Sequence, residues 1–360
     1  MAITNIKYHS TNQFRNVVKN IKHQAQYKGL DSEGVPIMDR TAVAPTLRYI
    51  GTVKLHGTNA SIIEHEDGTV SFHSKAKLLG YVKGGEFTLN SDNSEFAQSM
   101  FRRFEGVKHI MRRAKAESQN IYGEVIYPIK VSGEFVGQGI QKGVGIAFLP
   151  KKSFFIFGLK LGETDQELKQ GWVPVTQTET LQSNDHSIYS IMQFDTKLVD
   201  INFNEPEYAQ NFLVDCTNEV EECCPVSKAL GITESLLGEG LVWTPVAPAY
   251  AYDSGNWFKS KGTKHSVSKT KSVVAIDPEK LNSIKEFVEY SVTDNRLLQG
   301  VSEVGLDQKL IGTFIGWINR DINKEEGDVL EASSLSMKDV GKNISNKARV
   351  FYLEELNNSF

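Results

Sequence analysis

Lys54 ends a strand-like stretch and is followed at once by Leu55-His56-Gly57-Thr58-Asn59. A lysine amine is a nucleophile when neutral, and desolvation or neighbouring cations disfavour its protonated form. A glycine three residues on lets the chain turn tightly beside the amine. Two carboxylates stand next to glycines in strand-like settings, Glu124 in YGEVIYP and Glu239 in LGEGLVWTP. Aimed into a cleft, such a carboxylate can bind a ribose hydroxyl or hold a divalent metal beside a triphosphate. Lys259 and Lys261 alternate in WFKSKG, which places both on one face of a strand. Like charges so placed repel, and a polyanion between or above them relieves the conflict. Taken singly these residues are ordinary. KxxG is frequent by chance, a lone Glu124 or Glu239 reads as a salt-bridged surface residue, and Phe157, flanked by Phe154, Phe155 and Ile156, reads as core.

The elements that must position these groups follow from hydrophobic period. Residues 48 to 74 read as short strands, with a hairpin turn at Asp67-Gly68. From Ser94 to Ser118 the period changes, with Phe96, Met100, Phe101, Phe104, Val107, His109 and Ile110 spaced as an amphipathic helix. Its other face carries Arg102, Arg103, Lys108, Arg112, Arg113 and Lys115, a solvated face or a phosphate-facing one. Strands return at 120–130 and 153–161, joined by the polar, Gly-rich SGEFVGQGIQKGVG. Residues 162–235 read as an insertion with an acidic helix around EPEYAQNFLVDCTNEVEECC, and strands resume at 240–246 and 256–262. From Asp277 the pattern is helical in three amphipathic segments. The expected class is α+β, with a β-rich domain over 1–272 and a small all-α domain over 273–360, the boundary falling near 270–276.

The 360 residues carry 40 Lys+Arg against 44 Asp+Glu, a net charge of -4, which excludes a protein that coats nucleic acid by bulk charge. The average hides unlike regions. Lys259, Lys261, Lys264, Lys269 and Lys271 fall in a stretch without an acid, whereas Asp200 to Glu222 is acid-rich. Three clustered cysteines, Cys216, Cys223 and Cys224, make neither a disulfide framework nor a zinc set. No run approaches the roughly 18–20 apolar residues of a membrane span. The N-terminal stretch has no export signal. A cytoplasmic monomer is the expectation.

In order, KLHGTN, YGEVIYP, FFIFGLK, GEGLVW and WFKSKG form a five-part signature that resembles the covalent nucleotidyltransferases, the superfamily of ATP-dependent ligases and mRNA-capping enzymes. The HGTN form of the first motif, with GQGIQKGV, CPVSKALGI and KGTKHS, is similar to the RNA ligase 2-like branch common in bacteriophages. The resemblance runs from about residue 48 to 270. It implies an ATP-grasp-like nucleotidyltransferase domain of antiparallel sheets with flanking helices, and roles for individual residues. Lys54 would attack the α-phosphate of ATP to form lysyl-AMP, Glu124 would hold the ribose, Phe157 would stack on adenine, and Glu239 would bind Mg²⁺ or Mn²⁺. Lys259 and Lys261 would contact the α-phosphate, Asn59 would act in the nucleic-acid steps, and Thr52 and Val53 would meet adenine through their backbone. His56, Gly57 and Thr58 would shape the loop, and Lys264 and His265, placed after the paired lysines, would reach phosphate.

Two departures stand out. Lys75, with Lys77 nearby, occupies the place where relatives carry an arginine, and lysine lacks the bidentate fork. Gly158 follows Phe157 where relatives carry an acid. The implied reaction is ATP-dependent joining of RNA 3′-hydroxyl and 5′-phosphate ends, at nicks in duplex RNA or in hybrids. An RNA guanylyltransferase or a DNA ligase of the superfamily would usually carry a β-barrel after the fifth motif, where this chain reads as helix. A non-enzymatic nucleotide-binding module would not need the nucleophilic lysine.

Overall fold

The computed structural model describes residues 3, 6–75, 77–162, 172–265 and 274–358. Two compact units are present, Met1–Ser260 and Lys261–Phe360. The expected boundary at 270–276 overlaps residues 266–273, which with Lys269 and Lys271 lie outside the described residues.

Helix α1 (Phe14–Gln26) opens the first unit and buries Phe14, Val17, Val18 and Ile21, one stripe at helical spacing. The strands β1 (Tyr27–Leu30) and β2 (Pro36–Met38) pair only with each other. Neither α1 nor this hairpin was expected from the sequence. The active part begins with β3 (Thr46–Lys54), β4 (Thr58–Glu64) and β5 (Val70–Ser74). At the β4–β5 turn Gly68 has φ +79°, and the Asp67 carboxylate accepts the Thr69 amide at 3.0 Å, as the Asp-Gly step predicts. Next come β6 (Leu78–Lys83) and β7 (Glu86–Leu89).

The single helix expected over 94–118 is two, α2 (Phe96–Arg102) and α3 (Phe104–Tyr122), broken at Arg103. The Arg103 guanidinium leaves the helix face to donate to the Lys152 carbonyl at 2.7 Å. Phe96, Met100, Val107 and Ile110 are buried as their spacing predicts, but Phe101 is exposed and Phe104 and His109 are half-buried. The strand expected at 120–130 is displaced. The helix runs on to Tyr122, Gly123 ends it at φ +78°, and β8 spans Ile129–Val136. Thus the first part of the Gly-rich segment is strand, not connection. Then follow β9 (Ser153–Leu161), β10 (Trp172–Val173), β11 (Ile188–Ser190) and β12 (Lys197–Asn202). The acidic helix is α4 (Gln210–Glu222), trailed by the short α5 (Pro225–Ala229). The unit closes with β13 (Gly240–Pro245), α6 (Pro248–Ala251) and β14 (Phe258–Lys261).

Two sheets result. The larger runs β10-β9-β8-β4-β5-β6-β7, with β11 beside β9, and the smaller runs β12-β3-β13-β14. The pairings of β3 with β12 and β13 and those along the large sheet are antiparallel, except for the parallel β11–β9 pair. One face of the large sheet buries Ile62, Phe72, Val131, Phe135, Ile156 and Leu159 against Met100, Val107, Ile110 and Met111 of α2 and α3. Full burial of such a side chain is worth about 1.5–3 kcal/mol. The opposite face is also covered: Ser61, Ser71, His73, Lys130 and Ser132 are all buried, so polar residues in these strands do not mark a solvent face.

The second unit holds five helices among its described residues, not the three segments read from sequence: α7 (Ile284–Ser291), α8 (Asp294–Val304), α9 (Ile311–Glu325), α10 (Gly327–Ala332) and α11 (Met337–Asn358). Phe287, Leu297, Phe314, Ile318, Ile344 and Tyr352 share its core.

Candidate active site

Lys54 is the last residue of β3 in the small sheet, and Thr58 is the first of β4 in the large one. The connector Leu55-His56-Gly57 therefore crosses between the sheets and fixes the lysine where they meet. The Lys54 ammonium lies 2.6 Å from Glu239 Oε2, and the Glu239 side chain is 2% exposed. His56 Nδ1 lies 3.7 Å from the same oxygen. The sequence reading put cations around the amine, whereas the group in contact with it is a carboxylate. Glu239 sits just before β13 rather than within a strand, and the pairing of Gly240 with Lys54 brings the two side chains together. Val53 is buried opposite Leu241, and Thr52 Oγ1 donates to the Val242 carbonyl at 3.4 Å.

The need for Gly57 is close approach. A Cβ there would stand 2.5 Å from the Phe135 carbonyl oxygen and from Val136 Cγ1, closer than atoms pack. The Gly57 amide donates to Glu134 Oε1 at 3.0 Å, and Gln141 Nε2 donates to the Gly57 carbonyl at 3.3 Å. Glu134 lies on β8 directly opposite Asn59 on β4. Both residues thus stand at the end of the large sheet that adjoins the lysine loop.

This geometry corrects the reading of Glu124. That residue is not on a strand: it follows Gly123 at the end of α3 and is exposed, with its carbonyl accepting the Ser118 hydroxyl at 3.0 Å. Glu134 is the strand carboxylate tied to the loop. Between residues 120 and 137 the sequence offers two Gly-Glu pairs, and the apolar run of YGEVIYP draws the strand to the wrong one. The signal in favour of Glu134 was local: alternation in KVSGEFV immediately before GQGIQKGV.

Phe157 reaches the site side of the large sheet through a bulge. Ser132 pairs with Gly158 and Gly133 with Ile156, which leaves Phe157 without an opposite residue. Phe154, Ile156, Leu159 and Leu161 enter the core on either side, whereas Phe157 is half-buried and meets the Tyr8 ring edge-on at 5.1 Å. Gly158, where relatives carry an acid, faces Tyr8 and Trp172, and a Cβ there would lie 3.1 Å from the Tyr8 ring. Burial raises the Tyr8 phenol well above its ordinary range, and the Glu134 charge adds to this.

Along β14, Phe258 and Ser260 are buried while Lys259 and Lys261 are half-buried, so the two lysines share a face as their alternation predicts. The strand is anchored by Ser260 Oγ, which accepts from Trp243 Nε1 at 3.0 Å and from Thr217 Oγ1 at 2.7 Å. Lys75 and Lys77 are exposed in the β5–β6 connection. Lys264 is exposed and His265 half-buried, and Ser266 of KGTKHS lies outside the described residues.

Among the described residues no group of three or more His, Cys, Asp and Glu is arranged to hold a metal ion. Magnesium asks for less, because it takes one or two carboxylates and fills its shell with substrate phosphates and water. Glu239 fits that requirement, being a buried carboxylate already in contact with a cation.

The family model described as RNA ligase matches residues 47–261, a span that holds Lys54, Glu134, Phe157, Glu239, Lys259 and Lys261. Two solved structures of a Naegleria gruberi RNA ligase are similar to this chain. One variant with AMP and manganese is 12% identical, covered over 72% of this chain and 56% of that one, with a TM-score of 0.41. Another with ATP and manganese is also 12% identical, over 72% and 57%, with a TM-score of 0.42. The chain thus spans a little over half the length of those proteins. No curated protein matches it.

Proposed function

The chain belongs to the RNA ligase family, and from that premise we propose that it is an ATP-dependent ligase that joins RNA 3′-hydroxyl and 5′-phosphate ends through a lysyl-AMP intermediate. The observation that carries the reading is the contact of Lys54 with Glu239 at the junction of the two sheets. In this reading adenine stacks on Phe157, and Val53 and Thr52 form the backbone wall beside it. Glu134, bound to the Gly57 amide, holds the lysine loop and takes the ribose role first read onto Glu124. Glu239 would be the residue to hold Mg²⁺ or Mn²⁺, which would supply charge neutralisation when bound.

Lys54 attacks the α-phosphate in line and pyrophosphate departs. Lys259 and Lys261 steady the charge that develops there, which is the largest lever in phosphoryl transfer. For the attack the Lys54 ammonium must give up a proton and its contact with Glu239, and a divalent cation, were Glu239 to hold one, would favour both. AMP then passes to a 5′-phosphate, and a 3′-hydroxyl displaces it, with Asn59 acting in these later steps. The RNA ligase 2-like branch, a bacteriophage source, a nicked duplex or hybrid substrate, a cytoplasmic site and a monomeric state belong to the same proposal. Residues 284–358 form helices and no strand among those described, which supports preferring RNA joining to the capping and DNA-joining readings.

The test is covalent labelling with α-labelled ATP and GTP in parallel. ATP should yield a covalent adduct, acid-labile and alkali-stable as a phosphoramidate is, that Lys54→Ala abolishes. An AMP-sized adduct persisting in that variant refutes the assignment, and preferential GTP labelling moves the chain to the capping reading.

A further inference from the structure

Lys130 and Lys160 stand directly opposite one another on β8 and β9, and they are 2% and 1% exposed. Cross-strand partners share a face, so both lie on the side of the sheet that carries Ser132 and Glu134, away from the α2 and α3 core. The Lys130 ammonium donates to the Ile6 carbonyl. Among the described residues Lys160 Nζ has no hydrogen-bond partner, and it faces the Trp172 ring at 5.5 Å. Ser132 Oγ, on the same face, is likewise buried without a partner. Two buried like charges in register are costly, and nothing in the family reading accounts for them.

Their placement relates them to the nucleotide. Lys130 precedes Glu134 on the same face of one strand by about 13 Å. Lys160 lies two residues beyond Gly158 and three beyond Phe157. Charge at the proposed nucleotide site therefore acts on the pair through a poorly solvated interior, where fields are weakly screened. We propose that Lys130 and Lys160 are positioning residues for the nucleotide, and that the pair takes up a proton as the polyphosphate binds. This rests on the nucleotide-binding reading above.

Burial, and then the neighbouring Lys160 charge, push the Lys130 amine down to about 7, and burial also lowers Lys160. The other facing groups do not compete for the proton. Burial, Lys130 and His65 hold His73 of β5 down at about 3, and its Nε2 lies 2.8 Å from Ser71 Oγ. His65, also lowered by burial, contacts the same hydroxyl at 2.9 Å. Tyr8, from the N-terminal segment, is kept neutral by burial. Glu134 lies farther along β8, and β4 contributes Ile63 opposite Lys130. A bound polyanion favours charged Lys130 and raises its pKa. Below about pH 7 the free protein already holds the proton, so uptake vanishes; above it uptake approaches one proton, and affinity falls up to about tenfold per pH unit.

The test is calorimetry of the full chain with α,β-methylene-ATP and Mg²⁺, in paired buffers of different ionisation enthalpy, at pH 6 and pH 8. Uptake should approach one proton at pH 8, fall toward zero at pH 6, and be lost in Lys130→Met. Lys160→Met, which removes the repulsion but leaves the burial that contributes most, should raise the Lys130 amine part-way and lower the uptake at pH 8, and it serves if Lys130→Met does not fold. Binding with equal uptake in the wild type and the folded variant, or with none in the wild type, overturns this inference alone. Failure of the nucleotide to bind the wild type overturns it together with the nucleotide reading.

Discussion

Glu134 and Glu124 differ in what their carboxylates hold. The first accepts the Gly57 amide three residues beyond Lys54; the second is exposed after a helix end. Removing the acceptor leaves the Gly57 amide unpaired in a half-buried connector, a loss of about 1–3 kcal/mol, or roughly tenfold to a hundredfold in the rate of a reaction that needs the loop. Glu134→Ala should therefore slow lysine adenylylation by that factor, and Glu124→Ala should leave it within about twofold, as surface substitutions do. Single-turnover labelling of the two variants side by side checks this. Equal loss in both would return Glu124 to the site.

At the scale of elements, the connector and the strands beside it determine whether the catalytic groups meet. Gly57→Ala would drive its Cβ against the Phe135 carbonyl and Val136, which are strand groups that do not yield as a flexible side chain does. Overpacking of this kind costs about 1–3 kcal/mol, so a lower melting temperature should accompany the loss of adenylylation. A variant that keeps wild-type stability and rate would show that the sheets tolerate a wider gap. Much of this framework was legible in sequence. The β9 span, the Asp67-Gly68 turn and the alternation of Lys259 and Lys261 follow from local rules of period and turn chemistry. What escaped was set by tertiary contact. β8 lost its true register because YGEVIYP looks more strand-like than SGEFVG, while helix α3 continues to Tyr122 by packing on the sheet. The bulge that turns Phe157 out of the core needs its partner strand to be seen, and the buried lysine pair exists only once β8 and β9 are in register.

Considered whole, a chain of net charge -4 carries Lys54 at the end of β3 and Lys259 and Lys261 on β14, and buries other charges in paired clusters. The second unit shows this in its core. Arg296 is buried and donates to Asp321 at 2.9 Å and to Glu326 at 3.1 Å, while Tyr290 donates to the other Glu326 oxygen at 2.9 Å. Four of the unit's helices, or the turns that end them, supply these groups, so the cluster fixes how they pack: Tyr290 and Ser291 from α7, Arg296 from α8, Asp321 from α9, and Glu326 between α9 and α10. Arg296→Met would leave the fully buried Glu326 without its cation. Breaking such a pair costs about 3–5 kcal/mol, a large share of the stability of a small unit. Thermal unfolding of the full-length variant should then show an early transition from the helical unit. Lysine adenylylation, which on the proposed reading depends on Lys54 and Glu239 in the other unit, should survive at temperatures where end joining is lost. Adding Glu326→Gln removes the orphaned charge while keeping an acceptor for Tyr290, and should restore much of the lost stability. If the single variant melts like the wild type, the network does not hold the unit together. If it loses adenylylation and joining in parallel, the helical unit is needed for the first chemical step.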